Sequence, residues 1–477
     1  MTSGATPVLR GTTIPRSLGP IRPRPRWPEL RLLGFVAMAL VVGSLSLGAT
    51  VAGTFKLYDA PDLAIYLGAL LVAHVAQVLA GRRTDQVLLP TVAMLGGISL
   101  LLMQRLPQDL VTQTFFGTTL GLGQVQLVWL LLALGVATTL GIVVRSDSWL
   151  RRYKYTWAAV GVGLLLLTFV FGTEINGQRL TLQLGPFAGQ PTELLKVILV
   201  VFLAGYLSEN RTLLVEQDTR VGPLRLPPLP YLAPMVAMWA IALVIVVIQR
   251  DLGAALLFFG VFLALLYVAT GRLSLVIIGF VLFLLGSALM AMLVDHIRTR
   301  VDVWINPFAD PLGAGYQVVQ ALHAFARGGL LGVGLGAGLP SIGGRPPIPE
   351  VHTDFPLAAL GEELGIVGVI AILGLYLVVV ERVLRIGAAA ADDFRSLLAI
   401  GLALVIGVQA FIIAAGDLKV LPLTGVTLPF ISYGGSSLLA NALVVGLLLA
   451  LSDKGVEAPP APRVGSRWRR RGRRATA

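Results

Sequence analysis

A carboxylate stands at the edge of an apolar run in His352–Thr353–Asp354–Phe355, directly before the segment that opens at Pro356. Water is scarce at such an edge, so a carboxyl group there gains proton affinity and is suited to taking a proton from a hydroxyl. The other readings open to an Asp in that place are a helix cap and a solvated loop charge. Glu193 and Lys196 lie three residues apart inside another apolar run, close enough to pair on one helix face. Ionisable groups within a span are costly, and such a pair either neutralises itself or serves a cavity in which the lysine binds a phosphate. Gln249, Arg250 and Asp251 form a polar block between two apolar runs, and Arg179 and Arg345 add cations in loops. Bonds from such cations to a phosphate are strong where hydration is poor. Glu362 and Glu363 follow Asp354 on an apolar helix, and each is expected to meet a cation from a neighbouring helix. His323 and His352 have the chemistry of bases or ligands, but at this spacing they form no recognised metal site. Gly332, Gly334, Gly336 and Gly338 follow no strand, which argues for a flexible or tightly packed loop over a phosphate cradle.

The stretch Gly416–Ser437, GDLKVLPLTGVTLPFISYGGSS, sets Pro422, Pro429, Gly434 and Gly435 around Tyr433, Ser436 and Ser437 where a helix should be starting. Pro and Gly at that density break regular structure, and irregular backbone at membrane depth is tolerated only where protein covers it or it lines a watery cavity. This segment is therefore expected to shape a site.

The elements that must position these residues are membrane helices. The chain has 477 residues, of which 56% are hydrophobic and only 13% charged, and its mean hydropathy of +0.83 excludes a soluble domain. Apolar runs of about 17 to 25 residues begin near Leu32, Asp62, Gln86, Gln126, Tyr155, Glu193, Tyr231, Leu252, Leu273, Pro356, Phe394 and Ser432. The expected fold is an all-α polytopic bundle of about twelve transmembrane helices with one large extracytoplasmic loop over residues 295–355. Residues 1–31, rich in Arg and Pro, read as a disordered basic cytoplasmic arm without a cleaved signal, and residues 453–477 as a basic cytoplasmic tail. No internal repeat is visible, which disfavours transporters built from duplicated halves.

The net charge of +12 invites a nucleic-acid reading. Placing the loops on alternate sides, with the N-terminus inside, gathers most of the 37 Lys and Arg residues on one face, in clusters such as Arg145, Arg151, Arg152 and Lys154. That asymmetry places both termini in the cytoplasm and turns the basic charge into a statement about topology, with no nucleic-acid partner. There are no cysteines, which removes disulfides and thiol chemistry, and with four histidines no structural metal centre is expected.

Five ordered blocks carry a family resemblance: NGQRLTLQLGPFAGQPTELLK at 176–196, QRDLGAAL at 249–256, GAGYQVVQALHAFARGGLLGVGLG at 313–336, PEVHTDFPLAALGEELG at 349–365, and the segment 416–437. Through them the chain resembles the SEDS family (shape, elongation, division and sporulation) of RodA/FtsW-type membrane proteins, over residues 86–452. The family has ten helices, so residues 32–80 look like two added N-terminal helices. Thr181 stands where the family commonly has a tryptophan.

The resemblance implies an inverting peptidoglycan glycosyltransferase that polymerises lipid II into glycan strands at the outer face of the bacterial plasma membrane, in cell elongation or division. Asp354 matches the aspartate regarded as catalytic. Glu193, Lys196, Arg179 and Gln249 are the expected substrate-binding residues, together with Asp251, His352, Arg345 and Ser436. No tightly bound cofactor is expected, with a divalent cation (Mg or Mn) an option for the departing pyrophosphate, and the implied partner is a class B penicillin-binding protein, a transpeptidase. Two other functions use the same features: a lipid II flippase, and a scaffold of the division or elongation machinery.

Overall fold

The computed structural model describes residues 23–453 apart from 116–117, 176–177, 185–186, 217–218, 222–223, 227–232, 234–235, 238, 242, 245–246, 248–250 and 339–345. Its helices are α1 (Trp27–Val51), α2 (Ala60–Leu79), α3 (Leu88–Arg105), α4 (Leu122–Val143), the short α5 (Ser148–Arg152), α6 (Lys154–Phe171), α7 (Pro191–Glu216), α8 (Leu252–Thr270), α9 (Leu273–Leu293), α10 (Asp295–Ile305), α11 (Tyr316–Gly328), α12 (Pro356–Ala388), α13 (Asp393–Asp417) and α14 (Gly435–Leu451). Among the described residues ten are long and apolar enough to cross a membrane, and α14, with 17 residues, is a shorter apolar helix. The span expected from Tyr231 falls largely outside the described residues. The architecture is the all-α polytopic bundle that the apolar runs imply.

Local chemistry sets the ends of these helices. Proline occupies the first turn of α1, α2 and α12, where its missing N–H costs nothing. The Asp251 carboxylate caps α8 by accepting from the Ala254 N–H at 3.0 Å, and Asp392 caps α13 by accepting from Arg395 at 2.9 Å. Burial separates core helices from peripheral ones: 83% of the α3 window is buried against 6% for α9, so α3 belongs to the protein interior and α9 faces lipid. Around that core α4 packs on α14, α13 lies between α12 and α7, and the N-terminal pair docks with α1 on α3 and α2 on α4.

Ion pairs gather at the end of the bundle that the basic clusters assign to the cytoplasm. Arg382 meets Asp85 at 2.7 Å, Arg395 meets Asp147 at 2.7 Å and Arg82 meets Asp453 at 2.8 Å. Arg26 is buried, pairs with Glu29 and donates to Thr84 Oγ1 at 2.8 Å. The expected free arm therefore ends earlier than residue 31. Glu29 sits in the first turn of α1 without exposure to water, and a buried carboxylate needs its counter-ion inside the fold.

Two further differences concern the loops. The segment 295–355, expected as a loop, holds α10 and α11 among its described residues. Short antiparallel ribbons also decorate the connections: β1 (Gln113–Phe115) with β2 (Thr118–Leu120), β3 (Thr173–Ile175) with β4 (Gln178–Leu184) and β5 (Phe187–Gly189), and β6 (Thr219–Val221) with β7 (Leu224–Leu226). In register, Gln113 faces Leu120 and Ile175 faces Gln178. Most of these strands have three residues, too short for a period-two pattern to show in the sequence.

Candidate active site

Residues 418–434 run without helix between α13 and α14, and side chains from all around take up their backbone groups. Gln409 donates to the Thr427 carbonyl at 2.7 Å, Ser99 to that of Ile431 at 2.6 Å, and the Tyr376 hydroxyl to that of Pro429. Arg300, from α10, donates one guanidinium nitrogen to the carbonyls of Leu423 and Thr424 at 3.1 and 3.0 Å. Irregular backbone inside a membrane protein persists only when its polar groups are satisfied in this way.

This segment in turn holds the turn that carries Asp354. The Ser432 hydroxyl accepts from the Leu428 N–H at 2.8 Å and donates to the Thr353 carbonyl at 2.6 Å, while the Tyr433 N–H donates to the His352 carbonyl at 2.8 Å. The N–H groups of Thr353, Asp354 and Phe355 all converge on the Glu350 carbonyl, which closes the turn tightly. Asp354 is not a helix cap: α12 is entered at Phe355 without a side-chain cap. Its carboxyl is partly buried, and loss of hydration together with the nearby Glu350 pushes its pKa up to about 6, against the Thr353 hydrogen bond and Arg300, which pull it down. A carboxylate with that proton affinity is ionised at neutral pH yet is a competent base.

Gly425 lies beside it. Its φ of +70° is a conformation that disfavours any side chain, and a β-carbon there would lie 3.8 Å from Asp354 Oδ2 and 3.9 Å from an Arg300 terminal nitrogen. The carboxyl and the guanidinium thus face the same glycine, a base and a cation side by side. Burial draws the Arg300 guanidinium below its usual pKa, opposed by Asp354 and Asp251.

A buried polar relay bonds to the same irregular segment. Lys196 donates to Glu193 at 2.6 Å, to Gln409 Oε1 at 2.9 Å and to Asn441 Oδ1 at 3.2 Å. An ammonium has three protons, so its donors are spent inside the protein. Gln409 leads to Thr427, whose hydroxyl lies 2.6 Å from that of Ser437, and Asn441 reaches the same Ser437 oxygen at 3.3 Å. The pair expected from spacing exists, and it supports the irregular segment from beneath.

The other expected residues divide. Asp251 is buried and also accepts from Gln190 at 3.4 Å; burial raises its pKa, chiefly against the Ala254 N–H. His352 is buried with its ring 5.8 Å from that of Tyr433, and burial lowers its pKa, which favours the neutral imidazole. Ser436 is partly exposed, and its neighbour Ser437 carries the bonds. Arg179 lies in β4, and Gln249 and Arg345 fall outside the described residues. Glu362 and Glu363 find the cations expected of them, Arg327 at 2.9 Å and Arg105 at 3.0 Å. Among the described residues no group of three or more His, Cys, Asp or Glu converges as a metal site.

Sequence reasoning passed over Arg300, Ser432 and Asp417. Asp417 closes α13, is buried, and has a carboxylate without a well-formed hydrogen bond, facing the Leu357 N–H at the head of α12. A cation in the cap (Arg300) and an acidic residue ending an apolar helix (Asp417) were signals available in the sequence. Ser432 had none beyond its place in the irregular stretch.

Residues 85–456 match the family model of FtsW, RodA and SpoVE, described as cell cycle proteins. The peptidoglycan glycosyltransferase RodA of Mycobacterium leprae is 38% identical over 452 residues, covering 95% of this chain and 94% of that one. A probable peptidoglycan glycosyltransferase FtsW of Nitrosococcus halophilus is 39% identical over 329 residues, covering 67% of this chain and 80% of that one. Among solved structures, a chain from a study of structural coordination of polymerization and crosslinking by a peptidoglycan synthase complex superposes with a TM-score of 0.61 at 27% identity, covering 78% of this chain and 98% of that chain. The Thermus thermophilus rod shape determining protein RodA gives 0.53 at 25% identity, with 78% and 97% covered.

Proposed function

The chain belongs to the FtsW/RodA/SpoVE family of cell cycle proteins, and from that premise we propose that it is a peptidoglycan glycosyltransferase of the bacterial plasma membrane with Asp354 as its base. The observation that carries this reading is the juxtaposition at Gly425 of the raised carboxyl of Asp354 and the Arg300 guanidinium. The acceptor is lipid II, whose N-acetylglucosamine 4-hydroxyl gives its proton to Asp354 as its oxygen attacks the anomeric carbon of the lipid-linked donor with inversion. Undecaprenyl pyrophosphate leaves. Among the described residues Arg300 is the cation beside Asp354 at Gly425, and it supports the charge that develops on the departing pyrophosphate. No tightly bound cofactor is required; a divalent cation would arrive with the pyrophosphate, since Mg²⁺ ordinarily keeps few protein ligands in phosphate sites.

Asp354 stands at the end of α12 opposite the Arg382–Asp85 pair; with the basic clusters taken as cytoplasmic, this supports a polymerase at the outer face more than a flippase that must also open inward. The partner is a class B penicillin-binding protein, whose single membrane helix would dock by close packing on a lipid-facing helix. Purified chain with lipid II in detergent, where no transport is measurable, separates these functions. We expect products longer than the substrate, made faster when a co-purified transpeptidase with an inactivated serine is bound. Unchanged lipid II in both samples would reject the enzyme reading, and equal rates would leave the partner only a crosslinking role.

A further inference from the structure

The added helix α1 reaches the active-site cap. At Gly365 the backbone of α12 leaves the helix, with φ 68° and ψ −172°. The break strands the carbonyls of Glu362 and Glu363, which accept instead from the N–H groups of Val333 and Gly334, both at 3.0 Å. On the far side of the break the N–H groups of Ile366 and Val367 donate to the carbonyls of Gly329 and Leu330 at 3.0 and 3.2 Å. Residues 329–334 therefore splice the two halves of α12. Contact is backbone to backbone: a β-carbon at Gly365 would stand 2.3 Å from the Gly332 nitrogen.

The splice is fastened on two sides. From α3, Arg105 pairs with Glu363 and donates to the Gly338 carbonyl at 2.6 Å, while the Gly336 N–H donates to Glu363 Oε2 at 2.9 Å. From α1, Thr50 Oγ1 lies 2.8 Å from the Leu335 carbonyl and 2.8 Å from that of Ser46 one turn back, within donating distance of either. Leu47, Thr50 and Val51 also press on Gly336, leaving no room for a β-carbon. An apolar cavity of about 480 Å³ between α1 and α12 is lined by Val42, Leu101, Leu335 and Gly368 among others. The half of α12 before the break, Pro356–Leu364, carries Asp354 at its head.

We propose that the outer end of α1, through Thr50, is a positioning element of the glycosyltransfer site: it pins residues 332–338 on the break in α12 and so fixes the short helix that presents Asp354. The idea rests on the function proposed above. Thr50 precedes the family match, which begins at residue 85, so the device belongs to the N-terminal addition; the Mycobacterium leprae relative aligns over 95% of this chain.

Two measurements on the full chain test it. In Thr50→Val, which keeps the shape and removes the donor, the amides of Val333, Gly334 and Gly336 should exchange hydrogen about five-fold faster, the size expected of one lost hydrogen bond, and Thr50→Ser should restore parental exchange. Leu335→Ala, which removes the side chain lining the cavity, should accelerate the same amides. With lipid II, Thr50→Val should lower kcat about five-fold at unchanged KM, again rescued by Thr50→Ser. Parental exchange in both Thr50→Val and Leu335→Ala would remove the pin, and accelerated exchange with unchanged kcat would remove its role in the reaction. A parent that makes no glycan counts against the proposed function, while the exchange result still decides whether the pin exists.

Discussion

Asp354→Asn is expected to make the protein more stable and catalytically dead. The amide keeps the shape and cannot accept the hydroxyl proton, so polymerisation should fall by about a hundredfold to ten-thousandfold, the usual worth of a general base. The stability gain follows from the raised pKa. A free Asp titrates near 3.8 and this one at about 6. Below the lower value both states hold the proton and nothing is lost. Between the two the unfolded chain ionises first, so stability falls as pH rises, and above about 6 the whole cost of burying the charge stands. Asparagine carries no such cost, which predicts a gain on the order of 3 kcal/mol at pH 7, read by thermal unfolding in detergent. Destabilisation by the same change would mean that the carboxylate is held by bonds it prefers when charged, contrary to its role as a strained base.

The second large effect lies beneath the site. Lys196→Met leaves Glu193, Gln409 and Asn441 facing a vanished donor, and a buried charge without its partner should cost about 3 to 5 kcal/mol. Adding Glu193→Gln removes that unpaired charge, so the double variant should regain most of the lost stability. Because Lys196 spends its donors within the protein and supports the Thr427–Ser437 contact, activity should return with stability. Thermal unfolding and glycan synthesis measured on the same preparations decide the point: a double variant that is stable yet inactive would mean that the ammonium acts on substrate instead.

How much of this was legible in the sequence depends on the range of the interaction. The spans were readable because each apolar run is an element by itself, and the Glu193–Lys196 pair because its spacing lies within one helix turn. Asp354 stood out because a carboxylate beside an apolar run is unusual, and the family motif gave it an expected role. Arg300 was visible as a cation in the cap, but its partner was not readable, and Ser432 was not readable at all. Arg300 comes beside Asp354 through a fold in which α10 bonds to the irregular segment, and Ser432 gains its importance only from a carbonyl 79 residues away in the chain. The splice of α12 by residues 329–334 was equally hidden: the glycines suggested a tight loop, but which backbone they touch is a tertiary fact. Arg26 was misplaced because an arginine among prolines reads as a tail until a buried Glu29 claims it.

The pH dependence of lipid II polymerisation tests the central claim most directly. With Asp354 as the base, kcat/KM should rise with pH through a single ionisation near about 6 and level above it, because the carboxyl must lose its proton before it can take one. A chain that polymerises lipid II with a profile running through that range without a break would contradict the assignment of Asp354.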